Sequence, residues 1–539
     1  MPTKYIVVLG SLMSGLGKGI VSSSITKIML MHGLKALPMK FDGYLNYDCG
    51  TMNPFRHGEV FVLDDKGEVD MDFGNYERFI NMDLDSSLSI TGGKLFSEII
   101  SKERKGEFLG RDVQIIPHMT DFILNKVKSI ARDKKLDIMV IEVGGTVGDI
   151  ENSYFIEAMR QLALKEKAAF VNVVYVPELK VVGEQKTKPT QLAIRELMGS
   201  GIQADFIVCR SERALDRSAK ERIALFSNLD EKHIIDNTDL KSIYDVPASL
   251  IGQGLDKLIL EELDIEGARI DNAELSKWNE YAKSISAKHK RTVKISIVGK
   301  YITLRDSYAS VKEALAHSAG AEAVNLDLNW IESERLEGTS DNKIGEILGG
   351  SDGILVPGGF GSRGIEGMIR AIEFARKNKI PYLGLCLGMQ LMSIEFARNV
   401  CNIKDANSGE FNPSAKDKVI DLMESQKDIK SKGGTMRLGA WKARIRDGTY
   451  AYQAYKSRII SERHRHRYEF NNRYADRLEK KGLVISARTL DGNIVEMVEW
   501  KGQFGIGTQA HPELKSRLEK PAPLFLAFIE ASIGKENRP

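Results

Sequence analysis

Cysteine is scarce in this 539-residue chain: Cys49, Cys209, Cys386 and Cys401 stand far apart and form no C-x-x-C pair. That excludes a disulfide framework and a zinc ribbon and suits a reducing compartment, where a single thiol can serve as a nucleophile. Excess charge is equally scarce. With 77 basic and 74 acidic residues the formal net charge is only +3, so no polyanion-coating surface is expected, and any phosphate binding must be local and built into a site. Long hydrophobic runs are missing too. Stretches such as Tyr5–Leu9, Ile138–Val143 and Ala168–Val176 are strand-length, far short of the roughly 20 residues of a membrane span. One Lys precedes the first apolar run, a glycine-rich loop follows it, and no small-residue cleavage site appears, so a signal peptide is not expected. The reading is a cytoplasmic protein that engages neither membrane nor nucleic acid.

What is present is ordinary globular composition, 42 % apolar and 28 % charged, in a chain long enough for about three to four domain-sized units. Short apolar runs alternate with helix-period segments: strand-like Tyr5–Leu9, helix-like Ile20–Met31, strand-like Asp137–Val143, helix-like Tyr154–Leu164. This alternation predicts an α/β protein with mostly parallel sheets. It weakens between Asp264 and Arg291, where a charged helical segment with Lys283, Lys288, Lys290 and Arg291 leads into a new strand at Val293–Ile297. The expected organisation is therefore a domain over 1–266, a linker over 267–292 and a second domain over 293–539, with further strands at Gly353–Val356 and Tyr382–Leu385 and a frayed tail at Lys535–Pro539.

In the N-terminal half, the first strand runs into Gly10-Ser11-Leu12-Met13-Ser14-Gly15-Leu16-Gly17-Lys18-Gly19 and then a helix. Glycines let the backbone N–H groups and the positive helix end face a phosphate, with Lys18 as a point charge. The loop is longer than the common G-x-x-x-x-G-K-[ST] spelling and has Gly19 at the hydroxyl position, for which Ser14 is the substitute. Asp72 and Glu142 suit a phosphate-bound magnesium, since Glu142 ends an apolar strand; helix capping or a surface charge is the plainer alternative for each. Glu142 precedes the glycine-rich loop Gly144–Glu151. Farther on, Gly183–Gln191 sets Lys186, Lys188, Thr187, Thr190 and Gln191 on a short turn before a helix, a set that suits a second polyphosphate or an ordinary charged turn.

In the C-terminal half, Gly384-Leu385-Cys386-Leu387-Gly388 is the cysteine version of a nucleophile elbow, presenting the thiol at a helix N-terminus. Pro357–Gly361 ends another apolar strand and can offer backbone N–H groups as an oxyanion hole. In His511-Pro512-Glu513, read as extended, residues i and i+2 face the same way, so Glu513 can orient His511 as the base for Cys386. Each piece alone fits core packing; three in order point to a glutamine-splitting nucleophile. Arg463–Glu469, the densest cationic run, reads as a solvated face or as a carboxylate or phosphate contact in a cleft.

Together these stretches, with Gly50-Thr51-Met52, His57–Val62, Tyr76–Phe79 and Gly433–Gly439, resemble the CTP synthase family over essentially the whole chain. The resemblance implies two doubly wound, mostly parallel α/β domains: a P-loop-like synthetase domain similar to dethiobiotin synthetase, and a class I glutamine amidotransferase domain. It implies ATP-dependent phosphorylation of UTP and displacement of that phosphate by ammonia to give CTP, ADP and phosphate. Gly15, Leu16, Gly17, Lys18, Gly19 and Ile20 would hold ATP, with Asp72 beside it and Thr238, Asp239 and Leu240 at its adenine. Asp72 and Glu142 would hold Mg2+. Ser14, Asp149, Ile150, Glu151, Lys186, Thr187, Lys188, Gln191 and Arg222 would contact UTP, or CTP as product inhibitor; Arg222 stands just before an Ile-Ala-Leu-Phe strand. Cys386, His511 and Glu513 would form a triad that makes a glutamyl thioester, with Gly359, Leu387, Gly388, Met389, Gln390, Glu410 and Arg467 around L-glutamine. Ammonia would pass through an internal tunnel, GTP would activate, and the protein would be a homotetramer able to form filaments.

Three departures from the family spelling stand out. Gly43 and Cys49 replace usual prolines, removing two φ constraints; the loop Gly10–Gly15 is unusual; and Thr508-Gln509-Ala510 precedes His511 where an aromatic residue is common. They bear on loop conformation and inhibitor affinity rather than on the reaction. Rival readings are another ATP-dependent amidotransferase of the cobyric acid synthetase type, and a catalytically silent, filament-forming paralogue.

Overall fold

The computed structural model describes residues 2–534 apart from 180, 182, 303, 424, 425 and 427–432; the tail read as frayed lies outside them. Two compact units result, one of residues 1–48 and 75–286, the other of residues 49–74 and 287–539. Among the described residues no helix is long and apolar enough to cross a membrane.

In the first unit, β1 (Lys4–Gly10), β2 (Ala36–Asp42), β3 (Ser89–Thr91), β4 (Ile138–Val143), β5 (Ala168–Tyr175), β6 (Phe206–Ser211) and β7 (Ile234–Thr238) form a seven-stranded sheet. Its order is β7-β6-β5-β1-β4-β2-β3, and every pairing is parallel. Tyr5 to Gly10 of β1 are all buried, as a strand covered on both faces requires. Ile6 and Val8 pack with Ile25, Ile28 and Met29 of the helix Lys18–Met31. The chain leaves β1 near the middle of the sheet, winds first toward β3 and later toward β7, and so opens a crevice at the carboxyl ends of the central strands.

The stretch expected as a linker contains a helix, Asn272–Ser286. Trp278 and Ala282, one turn apart, are buried, and the Trp278 indole N–H donates to the Tyr244 carbonyl at 2.9 Å. The Ile223-Ala224-Leu225-Phe226 segment after Arg222, expected as a strand, is the end of a helix, Arg217–Ser227. Its buried positions Ala219, Ile223, Ala224 and Ser227 follow the helical spacing, which four apolar residues viewed alone do not reveal.

In the second unit, β8 (Thr292–Gly299), β9 (Asn325–Glu332), β10 (Gly353–Val356), β11 (Tyr382–Leu385), β12 (Arg437–Ile445), β13 (Ile459–His466), β14 (Leu483–Thr489), β15 (Val495–Trp500) and β16 (Gly505–Thr508) form a nine-stranded sheet ordered β9-β8-β10-β11-β16-β15-β14-β12-β13. Pairings from β9 through β16 are parallel and those from β16 to β13 antiparallel. The sheet is thus parallel on one side only, an extension that the alternating strand and helix pattern does not predict. Ile354 and Val356 enter one apolar layer and Leu355 the other, the period-2 alternation of a strand covered on both faces.

Residues 49–74 belong to this unit by packing, although they lie far from it in sequence. Their short hairpin pairs Phe61–Val62 with Glu68–Val69. Arg463 Nε donates to Asp64 Oδ1 at 2.6 Å and Arg465 Nε to Glu68 Oε1 at 2.8 Å. The cationic run is therefore no solvated face: Arg463 is 0 % exposed, and its charge is used to seat the hairpin.

Candidate active sites

The second unit holds a thiol centre. β11 ends in Cys386, which heads the helix Leu387–Asn399 with φ 50° and ψ −97°, a conformation a side chain tolerates only where the surroundings impose it. They do so closely. Cys386 N–H donates to the Thr508 carbonyl at 2.7 Å, tying the elbow to the end of β16. A Cβ at Gly388 would lie 2.2 Å from the Val356 carbonyl oxygen, and one at Gly384 would lie 2.7 Å from the Gly388 carbonyl carbon, so both turn positions must be glycine.

His511 follows β16 and donates through Nδ1–H to Glu513 Oε1 at 2.7 Å. The pair is not extended, as the i, i+2 spacing predicts: Pro512–Lys515 is a 3-10 turn, and the turn itself brings the carboxylate back to the imidazole. Burial pushes the His511 pKa down, but the Glu513 carboxylate and the Cys386 sulfur outweigh it and bring the imidazole up to about 10. An imidazolium facing a sulfur is the arrangement that activates a cysteine nucleophile.

A cavity of about 480 Å³ opens in front of the thiol, walled in part by Gly359, Cys386, Gln390, Glu410, Arg467 and Tyr468. Glu410 Oε1 accepts the Gly361 N–H at 2.7 Å, and burial raises its pKa against that bond and Lys300. Arg467 is held by Gln426 at 2.7 Å and Thr435 at 2.8 Å. Leu387 and Met389 send their side chains into the core, which leaves only their backbone to face a ligand. A smaller cavity of about 80 Å³ lies at Cys386 and His511 and is walled by Pro54, Val60, Val62 and Tyr308.

Sequence reasoning misses Lys300. Its ammonium donates to the Phe360 carbonyl at 3.1 Å and to the Gly361 carbonyl, and burial lowers its pKa to about 8. It braces the Pro357–Gly361 turn; the one local signal is a lysine directly after the apolar strand β8. Arg465 and Glu68 are likewise invisible as a pair, because 397 positions separate them in the chain.

The first unit gathers a different kind of site at the carboxyl ends of its strands. Gly15 and Gly17 have φ of 78° and 87°, which glycine alone adopts freely, and Lys18 opens the helix behind them. Lys18 Nζ donates to the Gly145 carbonyl at 2.6 Å, passing so close to Gly10 that a Cβ there would stand 2.8 Å from Nζ. The Val147 N–H donates to the Gly10 carbonyl at 2.9 Å, so the glycine-rich loop after β4 is stitched to the one after β1. Leu16 is core, Ile20 is half-buried, and Ser14, Gly15 and Gly17 border solvent.

Glu142, 2 % exposed, accepts a hydrogen bond from the Tyr76 hydroxyl, and strand register sets Lys40 beside it. Lys40 lies 3.6 Å from the carboxylate of Asp42, the last residue of β2, and both are buried. Asp149 binds its own loop, accepting Thr146 N–H at 2.8 Å and its hydroxyl at 2.6 Å, while Ile150 is 85 % exposed and Glu151 is exposed. Lys186 pairs with Glu184 at 2.5 Å, and Thr187 accepts from Gln191 at 3.0 Å. Lys188, at the start of one helix, and Arg222, on the flank of another, are both exposed. Thr238 ends β7, and Asp239 pairs with Arg210 at 2.6 Å next to the exposed Leu240. Asp72 opens the helix Asp72–Ile80 and belongs with residues 49–74 to the second unit.

Among the described residues no three acidic, His or Cys side chains converge into a metal cage. Magnesium is ordinarily held by one or two carboxylates together with substrate phosphates, and a buried carboxylate at a strand end, as Glu142 is, is a donor of that kind.

The family model for the CTP synthase N-terminus matches residues 4–265, and that for class-I glutamine amidotransferases matches residues 303–531. The CTP synthase of Caldanaerobacter subterraneus subsp. tengcongensis is 48 % identical over 536 residues, 98 % of each chain. That of Clostridium kluyveri is 48 % identical over 542 residues, 100 % of each. A solved glutaminase domain of Trypanosoma brucei CTPS with bound acivicin is 42 % identical, covers 46 % of this chain and 96 % of its own, and has a TM-score of 0.43. With full-length identity at this level, and a buried thiol centre and a glycine-cradled lysine each standing where its half of the sequence puts it, the chain belongs to the CTP synthase family.

Proposed function

We propose that Cys386 splits glutamine and that the first unit spends the released ammonia on UTP. The chain makes CTP from UTP with ATP and glutamine, as a ligase of pyrimidine nucleotide synthesis. The observation that carries the glutaminase half is the Cys386 elbow with His511 and Glu513 paired at 2.7 Å beside a cavity of about 480 Å³.

In that cavity the sulfur attacks the side-chain amide carbon of glutamine. The C–S bond forms, the C–N bond breaks, and His511 delivers the proton that lets ammonia leave. The turn at Gly359 and the Leu387 N–H receive the oxyanion, while Glu410, Gln390 and Arg467 hold the amino acid's charged end. Water then cleaves the thioester. The small cavity on the His511 side, with its mostly apolar wall, is where ammonia starts its passage.

In the first unit, Lys18 and the backbone of Gly15 to Ile20 hold ATP, and Thr238, Asp239 and Leu240 meet its adenine. The γ-phosphoryl passes to O4 of the uracil with release of ADP; ammonia adds at C4, and phosphate leaves. Ser14, Asp149, Ile150, Glu151, Lys186, Thr187, Lys188, Gln191 and Arg222 orient UTP, or CTP as inhibitor. Asp72 and Glu142 would hold Mg2+, which supplies charge neutralisation on the phosphates. GTP activation and a homotetramer complete the reading.

Absorbance-monitored conversion of UTP to CTP with ATP, magnesium and either glutamine or ammonium chloride tests it. CTP from both donors supports it. No CTP from either, with folded protein and GTP present, overturns it.

A further inference from the structure

Gln509 is 0 % exposed and reaches the reacting sulfur. Its Nε2 donates to Cys386 Sγ at 3.5 Å. Two neighbours decide which end of the amide faces the thiol. Gln390 Nε2 donates to Gln509 Oε1 at 3.2 Å and also to the Tyr468 carbonyl at 3.0 Å. Because Tyr468 offers only an oxygen, Gln390 must turn its NH2 that way, and Gln509 must then present oxygen to Gln390 and NH2 to the sulfur. The backbone is pinned as well: Gln509 N–H donates to the Glu496 carbonyl at 2.8 Å, and Thr508 just before it accepts the Cys386 N–H at 2.7 Å. Nucleophile and donor thus hang from one strand end. A position that merely needed filling would take an apolar side chain, since a buried amide requires partners at both ends.

We propose that Gln509 is a catalytic residue of the glutaminase centre, its amide N–H stabilising the Cys386 sulfur whenever that sulfur is negatively charged. The inference rests on Cys386 being the glutaminase nucleophile. The sulfur is charged twice in each turnover. Before attack it is the thiolate. In thioester hydrolysis, water adds to the carbonyl carbon and gives a proton to His511, and the C–S bond then breaks with its electron pair returning to sulfur. A neutral donor fixed in a buried site serves both moments without changing its own protonation. Since Gln390 both borders the glutamine cavity and orients Gln509, substrate recognition and thiol activation share one hydrogen-bonded chain.

The test is the rate of iodoacetamide alkylation of Cys386 at pH 7 in the full chain, located by peptide mass spectrometry, for the wild type, Gln509→Met and Gln509→Glu. Methionine keeps the bulk and removes the donor; glutamate keeps the shape and turns a carboxylate to the sulfur. The expected result is alkylation slowed several-fold in the first and about tenfold or more in the second, with glutamine kcat falling in parallel and KM changing less than about twofold. Equal alkylation rates in wild type and variants overturn the inference whatever happens to glutamine turnover. Should Gln509→Met fail to fold, Gln509→Glu decides alone. Failure of glutamine to protect wild-type Cys386 from alkylation overturns instead the glutaminase reading on which this rests.

Discussion

The two reaction centres differ in how much of themselves the polypeptide supplies. Around Cys386, the sulfur, the Glu513 carboxylate and the bracing Lys300 are buried and the His511 imidazole is half-buried, and they are already bonded to one another or to the turn they support. Around Lys18, the groups expected to meet nucleotides are either exposed, as with Ile150, Glu151 and Arg222, or bonded to their own loops, as with Asp149 and Lys186. The difference follows from the chemistry. A covalent nucleophile must be held in a protonation state and a direction before substrate arrives. A phosphoryl-transfer site works by positioning and charge, and much of its order arrives with the phosphates. Lys18 is the visible sign: its ammonium rests on the Gly145 carbonyl at 2.6 Å.

The sharpest way to break this comparison is to remove one centre and watch the other. Cys386→Ala should lower glutamine-dependent CTP synthesis by about a thousandfold or more while synthesis from ammonium chloride continues; loss of both would show that the centres are not separable. Lys18→Ala should lower synthesis from either nitrogen donor by on the order of a hundredfold or more, with glutamine hydrolysis still measurable by ammonia release.

Gly388→Ala is a structural probe of the preformed centre. Its Cβ has nowhere to go but the Val356 carbonyl at 2.2 Å, so overpacking should destabilise the protein by about 1–3 kcal/mol, read as a lower melting temperature. An unchanged melt would mean that the elbow is looser than its contacts imply.

The smallest effect is electrostatic. The His511 pKa is raised in the folded state to about 10 from its ordinary 6.5. Its protonation therefore contributes stability that is fully present below about pH 6.5 and fades as pH climbs through about 10. Denaturant midpoints of wild type and His511→Asn should differ most in mildly acidic buffer and converge above pH 10; a gap that widens with pH would reverse the assigned charge state.

Much of both centres is legible in the amino-acid order alone. The glycine loop and Lys18, the G-x-C-x-G elbow and His-Pro-Glu are short, local spellings, because each solves a backbone problem within a few residues. The parallel cores are legible for the same reason: a strand buried on both faces must be continuously apolar. Short apolar runs without a period are the weak point, as Ile223–Phe226 shows, since it spells a strand and folds as the end of a helix.

What the sequence determined by itself, then, is the order of most elements, the glycine-rich loop before Lys18, the Cys386 elbow and the neighbouring His511 and Glu513, all set by rules that act within one turn or one strand. The tertiary structure alone decided that residues 49–74 join the glutaminase unit through Asp64 and Glu68, and that β12 to β15 extend the parallel sheet antiparallel. It alone turned Glu513 to His511 through a 3-10 turn, braced the Pro357–Gly361 turn with Lys300 and aimed Gln509 at the thiol. These are pairings between residues up to about 400 positions apart in the chain, and the free energy that selects them lies in burying charge and amide groups only where partners meet them.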